Sequence, residues 1–280
     1  MESAASDHRT AVPESSAYDV VFVGTGISNT FTLIELLTRL EQQKAPFARL
    51  LLIDKDPDFF KGVPYGARSG DLGLIISRLS DFLPESQSAA FTEWLAAHRE
   101  QAFERFFAVG GDYVEKWRTT HWDDVQSGDV GELYLPRYVF GLYFEQLARA
   151  AIERAEANGV ASVETVVGEV VDLEYFDRGF TVVTRDGGGA EQRVHARRVV
   201  LGLGSTPSRR LLERRPAVSG PVLVDDPFDP GIADMLERIR DAVTSGDGDR
   251  GRIAIVGSNA GALDVIFNLM NDRVIAGAIT

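Results

Sequence analysis

YDVVFVGTGISNTFTLIELLTRLEQQ, residues 18–43, is the stretch whose reading decides the fold. Tyr18 to Val23 is an apolar run of strand length, of the kind buried on both faces of a parallel sheet. Two glycines, Gly24 and Gly26, make a turn. A helix then follows in which Phe31, Ile34, Leu37 and Leu40 are spaced to share one face. ARLLLIDKD, residues 48–56, reads as a second buried strand ending at Asp54. The three pieces form a β-α-β unit with a right-handed crossover, and the fold class is α/β and Rossmann-like.

The turn carries chemistry. In GTGISN, Gly24 and Gly26 take the first two positions of G-x-G-x-x-G, and Asn29 stands where the third glycine belongs. The first glycine permits the tight turn, and the second lets the backbone approach a pyrophosphate resting on the N–H groups of the helix start. The third normally allows close packing of helix on strand, and Asn29 weakens that match. Asp54 lies 25 residues beyond Asn29, farther than the usual spacing of about 20. A carboxylate there would accept hydrogen bonds from ribose hydroxyls; equally, it would cap the strand and start the DKDPD turn. A second strand–turn–helix pattern, RIAIVGSNAGALDVIFNLMND, spans residues 252–272. Gly257 takes the first glycine position, but Asn259 and Ala262 take the other two. Dinucleotide binding and a bare strand-to-helix turn both remain open there.

Between the two patterns the chain changes character. Residues up to 17 are expected as a mobile polar tail, and helices dominate from about 81 to 158. SVETVVGEVVDLEYF, GFTVVTRD and EQRVHARRVVLGLG read as strands, with Asp186 to Gly189 as a turn. A helix is expected around Ile232 to Val243. This gives a first domain over 18–220 with a helical insertion, a linker region over 221–250, and the first β-α unit of an incomplete second domain over 251–280. The composition narrows the function. A net charge of −13 disfavours phosphate backbones and anionic lipid, so neither nucleic acid nor membrane is an expected partner. The absence of cysteine removes disulfide and thiolate chemistry, and the four scattered histidines show no metal-ligand spacing. With no signal peptide or spanning run, a cytoplasmic protein is expected. Trp94, Trp117 and Trp122 would line a substrate pocket or, more ordinarily, fill a core.

The ordered set of motifs resembles the two-dinucleotide-binding-domain flavoproteins, specifically the FAD–NAD(P)-binding bacterial oxidoreductases related to flavin monooxygenases. FFKGVPYG (59–66), LSDFLPESQSAAFTEWL (79–95), LPRYVFGLYFEQL (135–147), ARRVVLGLGSTP (196–207), LVDDPFDP (223–230) and IAIVGSNAGALD (253–264) follow in that group's order. Gly202 and Leu203 depart from its usual Ala-Thr-Gly ending. The resemblance implies FAD on the first unit, with Gly24, Gly26 and Ser28 facing the pyrophosphate, Asn29 at the third glycine position, and Asp54 at the ribose. It also implies backbone near Val170 beside the adenine, Gly204 closing over the cofactor, and Gly62, Tyr65 and Gly66 near the flavin ring. Arg137 would meet the cofactor or an anionic substrate, and NAD(P)H would bind at Gly257 and Asn259.

The expected activity is an FAD-dependent, NAD(P)H-linked oxidoreductase, monooxygenase-like, acting on a small molecule. No Ser-His-Asp set or acid pair offers a catalytic residue. The absence of CxxC excludes a disulfide reductase of the thioredoxin-reductase kind. The alternative is a non-catalytic or partner-dependent nucleotide-binding protein, whose second domain would be completed by a missing C-terminal half or a partner chain.

Overall fold

A computed structural model describes residues 17–176, 179–205, 222–244 and 252–279. The expected tail before Ala17 and parts of the connecting region, 206–221 and 245–251, lie outside them. In chain order the elements are β1 (Tyr18–Val23), α1 (Ile27–Gln42), β2 (Ala48–Asp54), α2 (Gly62–Tyr65), a 3-10 turn (Ala67–Ser69), α3 (Leu79–Phe82), α4 (Glu85–Val109), α5 (Asp112–Ser127), α6 (Arg137–Ala157), β3 (Ala161–Val167), β4 (Glu169–Phe176), β5 (Gly179–Arg185), β6 (Glu191–Leu201), α7 (Ile232–Thr244), α8 (Ala260–Asn271) and α9 (Arg273–Ile279). The chain divides into two compact units, Met1–Phe60 with Leu147–Gly204, and Lys61–Gln146 with Ser205–Thr280. The helical segment expected over 81–158 is divided between them: 81–146 groups with the C-terminal segment, and 147–158 with the strands.

The first unit is a six-stranded sheet in the order β3-β2-β1-β6-β5-β4. The β1–β2, β2–β3 and β1–β6 pairs are parallel, and the β4–β5 and β5–β6 pairs antiparallel. Consecutive apolar residues in β1 and β2 serve two cores at once, because successive side chains point to opposite faces. Phe22, Leu50 and Leu52 pack with Leu33 and Leu37 of α1 and with Ala148, Ala151 and Ala155 of α6. Small residues one turn apart let α6 approach closely. Val21, Val23, Leu51 and Ile53 face the other way, toward Val182 and Ala196 with Val170 and Leu173 beside them. Burying each large apolar side chain here contributes about 1.5–3 kcal/mol. The buried stripe of α1 is Asn29, Thr30, Leu33 and Leu37. Phe31, expected on the inner face, is exposed instead. The helix is rotated so that its two polar residues, Asn29 and Thr30, reach the turn carbonyls. At the end of α6, Gly159 adopts φ +64 and the Val160 amide bonds back to the Ala155 carbonyl, the expected glycine cap.

The second unit is helical and rich in aromatic contacts. Phe91 stacks on Phe140 at 4.6 Å and Phe103 on Trp117 at 5.2 Å. The buried Tyr138 hydroxyl accepts a hydrogen bond from the Phe106 amide at 3.0 Å. Trp122 meets the edges of Phe103 and Phe107, and Trp94 donates to Gln146 Oε1 at 2.6 Å. All three tryptophans are packing residues of this unit.

One local expectation fails. The run Arg252–Gly257 forms no strand, and Ile255 and Val256 are exposed. A strand of this composition needs parallel neighbours on both sides, and no described segment pairs with it. The helix after it, α8, does form. Its buried residues are Asp264, Asn268 and Leu269, while Leu263, Ile266, Phe267 and Met270 are exposed. Its polar side thus faces the unit.

Candidate functional site

In the first unit the parallel strands end at one edge, where the loops after β1, β2, β3 and β6 meet. Gly24 has φ +81, a conformation open to glycine, and a Cβ there would collide with the Gly202 carbonyl. Its amide donates to the Ile53 carbonyl at 2.8 Å, and the Gly202 amide donates to the Val23 carbonyl at 2.8 Å. Gly26 is the N-cap of α1 in extended conformation, with no side-chain cap, and Ser28 beside it is exposed. An uncapped helix start presents its first N–H groups and the positive end of its dipole to whatever lies before it.

Asn29 takes a role that the glycine pattern does not anticipate. Its side chain is buried and its Nδ2 donates to the Gly24 carbonyl at 2.7 Å and the Val23 carbonyl at 3.2 Å. Gly202 is pressed against the same amide, so a Cβ at 202 would strike it. The asparagine at the third position bolts turn and strands together where a glycine would only have permitted contact.

Asp54 closes the other side. Its Oδ2 accepts from the Thr25 amide at 2.6 Å and from Thr25 Oγ1 at 2.8 Å, and its Oδ1 accepts from the Asp56 amide at 3.0 Å. Its own carbonyl takes the Gly168 amide at 2.8 Å, which fixes the β3–β4 connection two residues before Val170. Val170 is half-buried in the apolar cluster on that face. Gly204, with φ +69, is exposed just beyond β6. The first unit therefore gathers Gly24, Gly26, Ser28, Asn29 and Asp54 around one turn, with Val170 and Gly204 on the neighbouring loops.

The remaining nominated residues belong to the second unit. Gly62 and Tyr65 lie in α2, with Gly66 as its extended C-cap. A Cβ at Gly141 of α6 would collide with the Tyr65 carbonyl, which is why a glycine stands in the middle of that helix. Tyr65 packs edge-on to Phe144, and burial raises its hydroxyl pKa against the lowering influence of Arg137. Gly257 is exposed with φ +133, and Asn259 is the N-cap of α8 by its backbone alone.

Arg137 is paired inside its own unit. Its Nη2 donates to Asp264 Oδ2 at 2.7 Å, its guanidinium lies over Gly73, and its buried Nε has no hydrogen-bond partner among the described residues. Burial raises the Asp264 pKa, opposed by the attraction of Arg137. Tyr113 next to it is pushed up to about 12, by burial first and by the Asp264 charge second. Sequence reading gave Asp264 no role; the available signal was a lone acid inside an otherwise apolar helix. Among the described residues no group of three or more His, Asp or Glu could hold a metal, and no helix is long and apolar enough to cross a membrane.

A glycine turn at the end of a central parallel strand, a carboxylate ending the next strand, and an antiparallel three-stranded return beside them define a dinucleotide-binding domain of the flavoprotein kind. The chain belongs to the FAD-NAD(P)-binding family, whose sequence profile matches residues 21–206, and its cofactors are accordingly FAD and NAD(P). Uncharacterised proteins of Mycobacterium tuberculosis and Mycobacterium bovis are 28% identical to it over 267 residues, covering 94% of this chain and 50% of theirs. The chain spans about half the length of these curated relatives. Among solved structures, lysine monooxygenase NbtG from Nocardia farcinica is similar with a TM-score of 0.50 and 15% identity, over 90% of this chain and 56% of that one. That likeness is one of fold.

Proposed function

We propose that this chain is the FAD-binding part of an NAD(P)H-linked flavin oxidoreductase, monooxygenase-like, that acts on a small molecule in the cytoplasm. The observation that carries the reading is the uncapped start of α1 behind the Gly24–Gly26 turn, at the sheet edge where Asp54 also ends its strand. The N–H groups of Gly26, Ile27 and Ser28 would hold the diphosphate, Asp54 would face the adenosine ribose, and backbone near Val170 the adenine. Gly204 would close over the cofactor. The chemistry bound FAD supplies is acceptance of a hydride from NAD(P)H and delivery of electrons onward; the protein's part is to bind, orient and exclude water. Gly62, Tyr65 and Gly66 as flavin-ring neighbours, Arg137 as an anion contact, and Gly257 with Asn259 as the NAD(P)H turn rest on the family resemblance. The purified protein is expected to be yellow and to bleach rapidly when mixed with NADPH without oxygen. A colourless protein that FAD neither binds nor stabilises would refute the reading.

A second reading has one observation in its favour. The run 252–257 has no strand partner among the described residues, and the turn after it has Asn259 and Ala262 at glycine positions. A chain that binds FAD but leaves NAD(P)H oxidation to a further segment or a partner chain would show this. Persistent yellow colour in the anaerobic NADPH experiment selects it.

A further inference from the structure

We infer that Asp54 acts on the cofactor chiefly through Thr25, as the clamp of the phosphate turn, and that Thr25 is the positioning residue of this site. The inference rests on the FAD reading and concerns which part of the nucleotide the carboxylate serves.

Counting lone pairs makes the case. A carboxylate offers about four acceptor positions, two on each oxygen. Oδ2 of Asp54 uses both of its own on Thr25, one for the amide at 2.6 Å and one for the hydroxyl at 2.8 Å. Oδ1 uses one on the Asp56 amide at 3.0 Å. One position is left. A ribose diol needs two acceptors for a bidentate contact, so Asp54 can take a single hydroxyl at most while Thr25 stays bound. Charge-assisted bonds to a backbone amide are among the stronger hydrogen bonds, and here the amide belongs to the residue between the two glycines.

The clamp extends further. Thr25 Oγ1 also accepts from the Phe60 amide at 3.4 Å. Phe60 is a buried aromatic residue at φ +73, a conformation that disfavours a residue with a side chain. Thr30 Oγ1 lies 3.2 Å from the carbonyls of Phe60, Thr25 and Gly26, one of which takes its proton. Strained backbone persists where its surroundings over-determine it. The loop after β2 is thus folded back on the glycine turn by two threonine hydroxyls, and Asp54 fixes the first of them.

The test compares ADP with 2′,3′-dideoxy-ADP by titration calorimetry on wild type, Thr25→Val, Thr25→Ser and Asp54→Asn. Thr25→Val is expected to weaken both nucleotides by about tenfold, the equivalent of one lost hydrogen bond, and Thr25→Ser to restore both. Asp54→Asn is expected to weaken both nucleotides by similar factors. A loss in Asp54→Asn confined to ADP, with dideoxy-ADP unchanged, would put the carboxylate's whole effect on the ribose, with none through Thr25, and overturn the inference. So would a Thr25→Val protein that binds like wild type. Hydrogen exchange of the Thr25 and Phe60 amides, measured without nucleotide, decides the clamp independently. Exchange at both is expected to quicken by about tenfold in Thr25→Val and not in Thr25→Ser. If wild type binds neither nucleotide, the FAD reading falls while the exchange result still stands for or against the clamp.

Discussion

At the scale of single residues, the informative position is Asn29. The fingerprint reads it as a flaw, because only glycine at that place is neutral to close packing. The structure shows the opposite balance: its amide satisfies the Gly24 and Val23 carbonyls inside the protein. Restoring the pattern with Asn29→Gly is therefore expected to destabilise the chain by about 1–3 kcal/mol, the cost of leaving the Gly24 carbonyl unmet, since Val23 keeps the Gly202 amide. A higher urea midpoint in that variant would contradict the reading. Gly24→Ala is expected to cost about 2 kcal/mol or more, since alanine would meet both the positive φ and the Gly202 carbonyl. The glycines were legible in the sequence because backbone geometry alone demands them. Asp264 was not, because what gives it meaning is Arg137, 127 residues away.

Elements succeed or fail by their neighbours. β1, α1 and β2 were legible because their apolar periods are long and their partners lie close in sequence. The run 252–257 is apolar as β1 is, yet among the described residues it has no strand partner, which shows that pattern proposes a strand and pairing makes one. Helix α8 is held instead through its polar side, by the Arg137–Asp264 pair and by Asn271 Nδ2 donating to the Gly110 carbonyl at 2.7 Å. Asp264→Ala leaves the Arg137 Nη2 without its acceptor and is expected to cost about 1–3 kcal/mol. The double replacement Arg137→Met with Asp264→Leu is expected to recover most of that loss. Equal denaturation midpoints for wild type and Asp264→Ala would exclude a structural role for the pair. The pH dependence separates two acids near α8. Asp264 has a raised folded pKa, so its contribution is most favourable below its ordinary value of about 3.9 and declines as pH rises through the folded one. Asp272 has the reverse sign. Burial alone would raise it, but the Ile275 amide, Arg240 and the Val274 amide together hold it low. Its contribution is present above about pH 3.9 and is lost as pH falls through its lowered value. Urea midpoints followed from about pH 3 to pH 7 should show Asp264→Asn removing the decline toward neutrality and Asp272→Asn removing the decline toward acid.

For the molecule as a whole, ligand linkage gives the plainest expectation. FAD at about 100 times its Kd should raise the unfolding free energy by about 2.7 kcal/mol, read as a higher Tm. An unmoved Tm in the presence of bound, coloured flavin would mean that the unfolded chain binds it equally. The whole fold was legible as α/β, because the order of buried strands and amphipathic helices survives without tertiary information. The division between the units falls inside α6, between Gln146 and Leu147, where no local sequence signal marks it. Strand β6 carries a consequence of its own. Ala196 pairs with Tyr18 on one side and with Phe180 on the other, so the first half of β6 belongs to the antiparallel return and the second half to the parallel sheet. From Ala196 onward the strand is a ruler that sets where Gly202 falls against Gly24. One residue added within the Asp186–Gly189 turn would be absorbed by the hairpin. One added between Ala196 and Leu201 would lengthen the ruler by about 3.3 Å and carry Gly202 past its mark.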